Sequence, residues 1–227
     1  MSRSVKLSKT YFVVGIGIAI YATIMSNVFM FIPGEPADPG SAPIDLANSF
    51  SVLSVAMLSL SAVLFSLPVI MLFVYDKNNG VLEYLLSTGL DQFDIFKGYV
   101  KASLLLASSL LIFSIMLNTT VGFFLGTSLS LLATVAVLTF AIGISEVLLV
   151  TVCMMAFSSL QKTPMGANQP LGVIIGIIPM FPALILPLIF PSYAVAIDAS
   201  IAAITLLASL ALLLSVKRLI LREKLLP

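Results

Sequence analysis

An otherwise apolar chain is interrupted by one charged segment, VYDKNNGVLEYLLSTGLDQFDIFKGYVKAS (Val74–Ser103). Apolar stretches lie on each side of it, at 50–74 and 98–121, and about 20 such residues are enough to cross a bilayer as a helix. The charged side chains of the segment are Asp76, Lys77, Glu83, Asp91, Asp94, Lys97 and Lys101. The segment therefore separates two predicted membrane helices, and the sequence raises the question of what it is for.

Composition places the chain in the membrane. Of its 227 residues, 60% are hydrophobic and 9% are charged, whereas soluble domains carry about 25% charged residues. A chain with so few charges cannot cover itself with polar surface. Its net charge of +1 provides no basic field for nucleic acid, so a nucleic-acid partner is not expected.

Six apolar stretches have the length of a membrane span: 10–32, 50–74, 98–121, 127–157, 170–190 and 194–216. They predict an all-α polytopic membrane protein with a single transmembrane domain over residues 1–227. The first stretch follows a basic start, as a signal peptide would, but no small-residue cleavage site follows it. We therefore interpret it as a retained membrane helix.

Orientation follows from the basic side chains. With six spans, all 11 lysines and arginines lie on one face of the membrane: Arg3, Lys6, Lys9, Lys77, Lys97, Lys101, Lys162, Lys217, Arg218, Arg222 and Lys224. The opposite face carries the acids Glu35, Asp38, Asp45 and Asp198. Because basic loops stay on the cytoplasmic side, both termini are predicted to be cytoplasmic, in a multi-pass protein of the plasma membrane.

Several kinds of chemistry find no support in the sequence. The chain has no histidine and a single cysteine, Cys153, so neither a disulfide framework nor a thiolate or imidazole metal site is expected. The phosphate-binding pattern G-x-x-x-x-G-K-[ST] does not occur. We therefore expect neither an enzyme nor a chain that binds ATP by that route.

Within the charged segment, four apolar residues recur at the spacing of one helix face: Val81, Leu82, Leu85 and Leu86. Gly89 is expected to end this short helix, since glycine favours the left-handed conformation that follows a helix. The pattern predicts an amphipathic helix on the cytoplasmic surface, followed by a helix that rises into the third span. An amphipathic connector that rests on lipid head groups is the alternative interpretation.

The same segment resembles the cytoplasmic segment of type-2 ABC-transporter permeases. The resemblance rests on Asp76, Lys77, Gly80, Leu82, Glu83, Leu85, Leu86, Ser87 and Gly98. Val81 stands where that family commonly has threonine, Gly89 stands where it has proline, and Lys97 precedes Gly98 in reversed order. The family also shares the six-span layout with cytoplasmic termini.

The resemblance implies that the segment, at about 75–97, holds a coupling helix that contacts a separate ATPase subunit. The implied contact residues are Asn79, Gly80, Val81, Leu82, Glu83, Tyr84, Ser87 and Thr88. It further implies two ATPase subunits, which bind ATP and Mg²⁺, and a second permease subunit, identical or homologous. The chain itself would bind no cofactor. The expected activity is ATP-driven export of an amphipathic, lipid-like or peptide substrate.

Glu146 lies 12 residues before Ser158, about 18 Å along a helix and thus near the middle of the membrane. A charge there costs roughly 2.5–3.5 kcal/mol on insertion scales. Glu146 is therefore either a substrate-path or gate residue, or a structural carboxyl that is hydrogen-bonded to a neighbouring helix. Asn27 and Asn118, near the outer ends of their spans, are each expected to form a helix cap or an interhelical bond.

Two other functions are compatible with this sequence. A secondary transporter needs no ATPase, but usually shows internal symmetry or several ionisable groups within the membrane. A non-transporting membrane scaffold subunit would use the charged segment only as a docking site.

Overall fold

A computed structural model describes residues 2–28, 46–156, 178, 181–187 and 189–219. The helices are α1 (Ser2–Val28), α2 (Leu46–Asn78), α3 (Val81–Ser87), α4 (Gln92–Phe124), α5 (Leu129–Ala156) and, after a 3-10 turn at Pro191–Tyr193, α6 (Ala194–Leu219). Residues 181–187 are also helical. The described part of the chain is all helical, as predicted.

Among the described residues, four helices are long and apolar enough to cross a membrane: Ser54–Asn78, Gln92–Phe124, Leu129–Met155 and Ala194–Ser215. A shorter apolar helix covers Val13–Met25. These helices correspond to the stretches predicted at 50–74, 98–121, 127–157, 194–216 and 10–32. Most of the stretch predicted at 170–190 lies outside the described residues. The protein is therefore an all-helical membrane-embedded protein.

Two clusters of buried side chains define the ends of the helix bundle. Near the beginnings of α2, α5 and α6, Val55, Val135 and Ala202 belong to one cluster. Phe96 of α4 belongs to the other, together with side chains near the end of α2, in α3 and near the end of α5. Hence α4 begins at the end of the bundle where α3 lies, which we call the α3 end. The helices α2, α5 and α6 all begin at the other end, which we call the opposite end.

A buried pair of asparagines links the far ends of α1 and α4. The Asn27 side-chain amide donates a hydrogen bond to the Asn118 side-chain oxygen at 3.2 Å, and both residues are buried. Of the two roles predicted for these residues, a helix cap or an interhelical bond, the structure shows the interhelical bond. It also places the end of α1 at the opposite end, so α1 runs antiparallel to α2.

Glycine allows α1 to approach α2 closely. A Cβ atom added at Gly15 would lie 2.7 Å from a ring carbon of Phe65, which is itself buried on α2. Gly17 lies half a turn further along α1, and a Cβ atom added there would have no atom within 4 Å. Small residues at helix contacts are the usual means of close packing within a membrane.

These two glycines provide a matched test of the packing. Alanine is favoured over glycine within a helix by roughly 0.5–1 kcal/mol, so Gly17→Ala should maintain or raise the thermal stability of the purified protein in detergent. Gly15→Ala should lower it, because overpacking typically costs about 1–3 kcal/mol. Equal melting temperatures for the two variants would contradict the close α1–α2 contact.

Candidate functional site

The α3 helix is bounded by two glycines that adopt conformations other residues rarely take. Gly80 precedes it with φ 72°, and Gly89 follows its C-cap with φ 87°. Both values lie in the left-handed region, where a side chain would be strained. The predicted helix end at Gly89 is confirmed, and the two turns fix a seven-residue helix between α2 and α4.

Leu82 fixes α3 against the bundle. Its side chain is 0% exposed and lies in the same buried cluster as Phe73 of α2 and Phe96 of α4. Leu85 and Leu86 pack against that cluster and are partly buried. The inward face of α3 therefore consists of leucines, and the Leu82 side chain is not available to contact a partner directly. Its role is to hold the helix in place.

A polar contact beside α3 joins the same two long helices. The Tyr99 hydroxyl on α4 donates a hydrogen bond to an Asp76 carboxyl oxygen on α2 at 2.5 Å. The Tyr99 ring also packs edge-on against Phe73, with the ring centroids 5.2 Å apart. Since a hydrogen bond to a charged acceptor is among the stronger ones, this contact holds the end of α2 to the beginning of α4.

The outward face of α3 is formed by Val81, Glu83, Tyr84, Ser87 and Thr88, all of which are exposed. Tyr84 is 68% exposed and Val81 is 38% exposed. We call these five residues the α3 face. Large aromatic side chains exposed on a rigid element are typical contact residues in protein interfaces.

Three predicted contact residues have a local structural role in the free chain. Ser87 and Thr88 donate hydrogen bonds to the Tyr84 and Leu85 carbonyls at 2.7 and 2.6 Å. The Asn79 side chain donates to the Tyr75 carbonyl at the end of α2 at 2.7 Å. The Tyr75 and Tyr84 carbonyls also accept backbone hydrogen bonds, from Asn79 and Thr88 at 3.1 Å each, so the side-chain bonds add to those of the backbone. They define the turns on each side of α3.

Glu146 lies on α5 and is 0% exposed. Ser59 of α2 interacts with its carboxyl group, but the Ser59 hydroxyl donates to the Ala56 carbonyl at 3.0 Å. Neither carboxyl oxygen of Glu146 has a partner in hydrogen-bond geometry within the described residues. Both interpretations of Glu146, as a path or gate residue and as a structural carboxyl, therefore stay predictions.

Asp198 was predicted on the face of the membrane opposite the basic residues, with Glu35, Asp38 and Asp45, which lie outside the described residues. It lies in the second turn of α6, at the opposite end of the bundle. Its burial was not predicted: Asp198 is 0% exposed, and both of its carboxyl oxygens lack a hydrogen-bond partner among the described residues. The reason is that α6 begins at Ala194 and directs Ala194, Asp198 and Ala202, one turn apart, into the bundle.

The geometry defines a membrane-embedded helical protein with an exposed α3 face and the buried carboxyl groups of Glu146 and Asp198. Comparison of the chain with protein-family models, with curated proteins and with solved structures finds no match. Within the described residues, no group of three or more His, Cys, Asp or Glu is arranged to hold a metal ion.

The anchoring role of Leu82 is testable. Leu82→Ala should lower the thermal stability in detergent, since removal of a buried leucine typically costs about 2–5 kcal/mol, and should speed deuterium exchange at the α3 amides. Tyr84→Ala, at an exposed position of the same helix, should change neither. Slow exchange in both variants would show that α3 does not depend on Leu82.

A second test compares polar groups that have a partner with those that lack one. The Ser103 hydroxyl on α4 and the Thr151 hydroxyl on α5 lie 2.9 Å apart and are buried. Ser103→Ala should destabilise the protein by about 1–3 kcal/mol, because Thr151 is left unpaired.

Glu146→Leu is the matched variant and should leave the melting temperature unchanged or raise it, because neither oxygen of the buried carboxyl has a partner in hydrogen-bond geometry among the described residues. A large loss of stability in Glu146→Leu would point instead to a structural carboxyl.

Proposed function

We propose that this chain is the transmembrane permease subunit of an ATP-driven ABC exporter, in which the α3 face docks on a separate ATPase subunit. The observation that carries the proposal is the construction of α3. It is a short helix with left-handed glycine turns at both ends, a fully buried leucine on one side and a mostly exposed tyrosine on the other. Such a helix presents a fixed surface to a partner.

The contacts around α3 suit the transmission of force. Leu82 packs between the end of α2 and the beginning of α4, and the Asp76–Tyr99 bond ties those two helices together. A partner that moves α3 would therefore move the ends of both long helices at once. Since packed interiors respond as units rather than deforming continuously, closure of an ATPase pair would tilt α2 and α4 within the membrane.

The proposed topology has six spans, with α3 in the cytoplasm and both termini on the same side of the plasma membrane. Its support comes from charge. Lys77, Lys97 and Lys101 lie near the α3 end, and α1, whose first turns carry Arg3, Lys6 and Lys9, begins at that end. Basic residues gather on the cytoplasmic side of membrane proteins.

The proposed complex contains two ATPase subunits, which bind ATP and Mg²⁺, and a second permease subunit, identical or homologous. Export would carry an amphipathic, lipid-like or apolar peptide substrate along the interface of the two permeases. This substrate class follows from the apolar character of the chain, 60% of which is hydrophobic. Glu146 is the candidate residue for the path or its gate.

The test is co-purification. The tagged chain is isolated from its native membrane in mild detergent, and the eluate is assayed for ATP hydrolysis and for an associated ATPase subunit. Glu83→Ala combined with Tyr84→Ala should abolish the association. Loss of an interface residue worth about 2 kcal/mol or more weakens binding by roughly 30-fold.

Tyr193→Ala is the matched control. Tyr193 is 67% exposed, close to the 68% of Tyr84, but it precedes α6 at the opposite end. It should retain the ATPase. If the folded wild-type chain brings down no ATPase, the exporter proposal fails and a secondary transporter becomes the leading candidate. An ATPase that remains bound to the α3 double variant but not to Tyr193→Ala would place the docking surface elsewhere.

A further inference from the structure

Two carboxyl groups lie inside the bundle at different depths, both where α5 packs against neighbouring helices. Asp198 lies one turn before Ala202, which belongs to the same buried cluster as Val55 of α2 and Ile142 of α5. Glu146 lies one turn beyond Ile142 on α5 and interacts with Ser59 of α2. Both carboxyls therefore face the junction of α2, α5 and α6, with Asp198 nearer the opposite end.

Hydroxyl groups line the same junction. Thr139 lies on α5 between Val135 and Ile142, and Ser54 precedes Val55 on α2. Both side chains are 0% exposed, and neither hydroxyl has a hydrogen-bond partner among the described residues. Thr139 and Glu146 are two turns apart on one face of α5, about 10 Å along the axis. Unpartnered oxygens thus occur between the level of Asp198 and the level of Glu146.

No cation is placed to neutralise these carboxylates within the described residues. Lys77 is buried, but it lies 18 residues beyond Ser59, about 27 Å along α2. The other titratable or charged groups on the surrounding described elements, where side chains are described, are Tyr21 on α1, Tyr75 and Asp76 on α2, Asp94, Lys97, Tyr99 and Lys101 on α4, Cys153 on α5 and Tyr193 before α6. Apart from Cys153, these lie near a helix end or are exposed.

The occupant that fits this chemistry is a proton. An ionised carboxylate without a partner is costly to bury, whereas a neutral carboxylic acid is far less so. A metal cation would require several oxygen ligands, but helix carbonyls are used in the helices themselves. Each carboxyl can bind one proton in the closed junction and release it when water reaches the group.

We propose that the α2–α5–α6 junction is a proton-binding site, in which Asp198 and Glu146 each hold one proton in the closed bundle and exchange it with water when the junction opens. The proposal stands apart from ATPase docking, since it uses none of the residues of the α3 face. It gives the chain a second activity, reversible proton binding within the membrane.

Carbodiimide labelling tests whether the carboxyls are protonated. Dicyclohexylcarbodiimide adds to a protonated carboxylic acid in an apolar environment: the acid proton moves to a carbodiimide nitrogen, the carboxyl oxygen bonds to the central carbon, and rearrangement leaves a stable N-acylurea. The intact wild-type protein in liposomes at neutral pH should carry adducts at Glu146 and Asp198, located by mass spectrometry of peptides. Asp94, whose side chain is 64% exposed, should remain unlabelled.

Glu146→Gln should lose the adduct at position 146 alone, and Asp198→Asn the adduct at position 198 alone. The wild-type result decides the matter even if a variant fails to fold. Labelling at positions 146 and 198 no greater than at Asp94 would overturn the proposal.

Infrared spectroscopy of the wild-type protein tests exchange. The carbonyl stretching band of protonated carboxyls should shift in D₂O. Glu146→Gln should lose the part of this band that comes from position 146, and Asp198→Asn the part that comes from position 198. Asp94→Asn should leave the band unchanged. A protonated band that never shifts in D₂O would show that the junction does not exchange protons, which would also overturn the proposal.

Discussion

The bundle depends on the close packing of small side chains along α2. Ser54, Ala56, Ser59, Ser61, Ala62 and Ser66 are all 0% exposed, because α2 packs against α1, α4, α5 and α6. Lipid tails are as apolar as leucine, so helices in a membrane gain little from hiding apolar surface and associate instead through close contact. The hydroxyls of Ser59, Ser61 and Ser66 return hydrogen bonds to carbonyls of their own helix at 3.0, 2.6 and 2.6 Å, which removes their need for other partners.

The sequence predicts the membrane helices well because the signal is composition over a long window. About 20 apolar residues leave few alternatives to a spanning helix. The short helix between α2 and α4 was also predictable, since leucines at helical spacing and a terminal glycine are local features. The apolar stretch at 98–121 marks only the part of α4 that is apolar enough to lie in a membrane. The helix itself begins at Gln92, because the charged residues before the apolar run continue the same helix.

Contacts between distant helices were not predictable in the same way. The position of Glu146 near Ser59, and the hydrogen bond of Tyr99 to Asp76, depend on which faces of two helices meet and at what depth. A single sequence does not contain that register. Asp198 shows the limit most clearly, because an acid near the start of a span is equally compatible with a surface loop and with a buried turn. Its burial depends on the rotation of α6, which packing against α5 and α2 determines.

The length of α4 has a consequence for the surroundings of α3. Its 33 residues extend for about 50 Å, whereas the hydrocarbon layer is about 30 Å thick. The residues from 102 to 124 alone, about 34 Å of helix, are enough to cross that layer. In the proposed topology, the turns from Gln92 to Lys101 extend about 15 Å into the head-group region and the water beyond it. Lys97 and Lys101 are exposed on these turns and would lie at the level of the lipid phosphates, so a water-soluble ATPase subunit would reach α3 without displacing lipid.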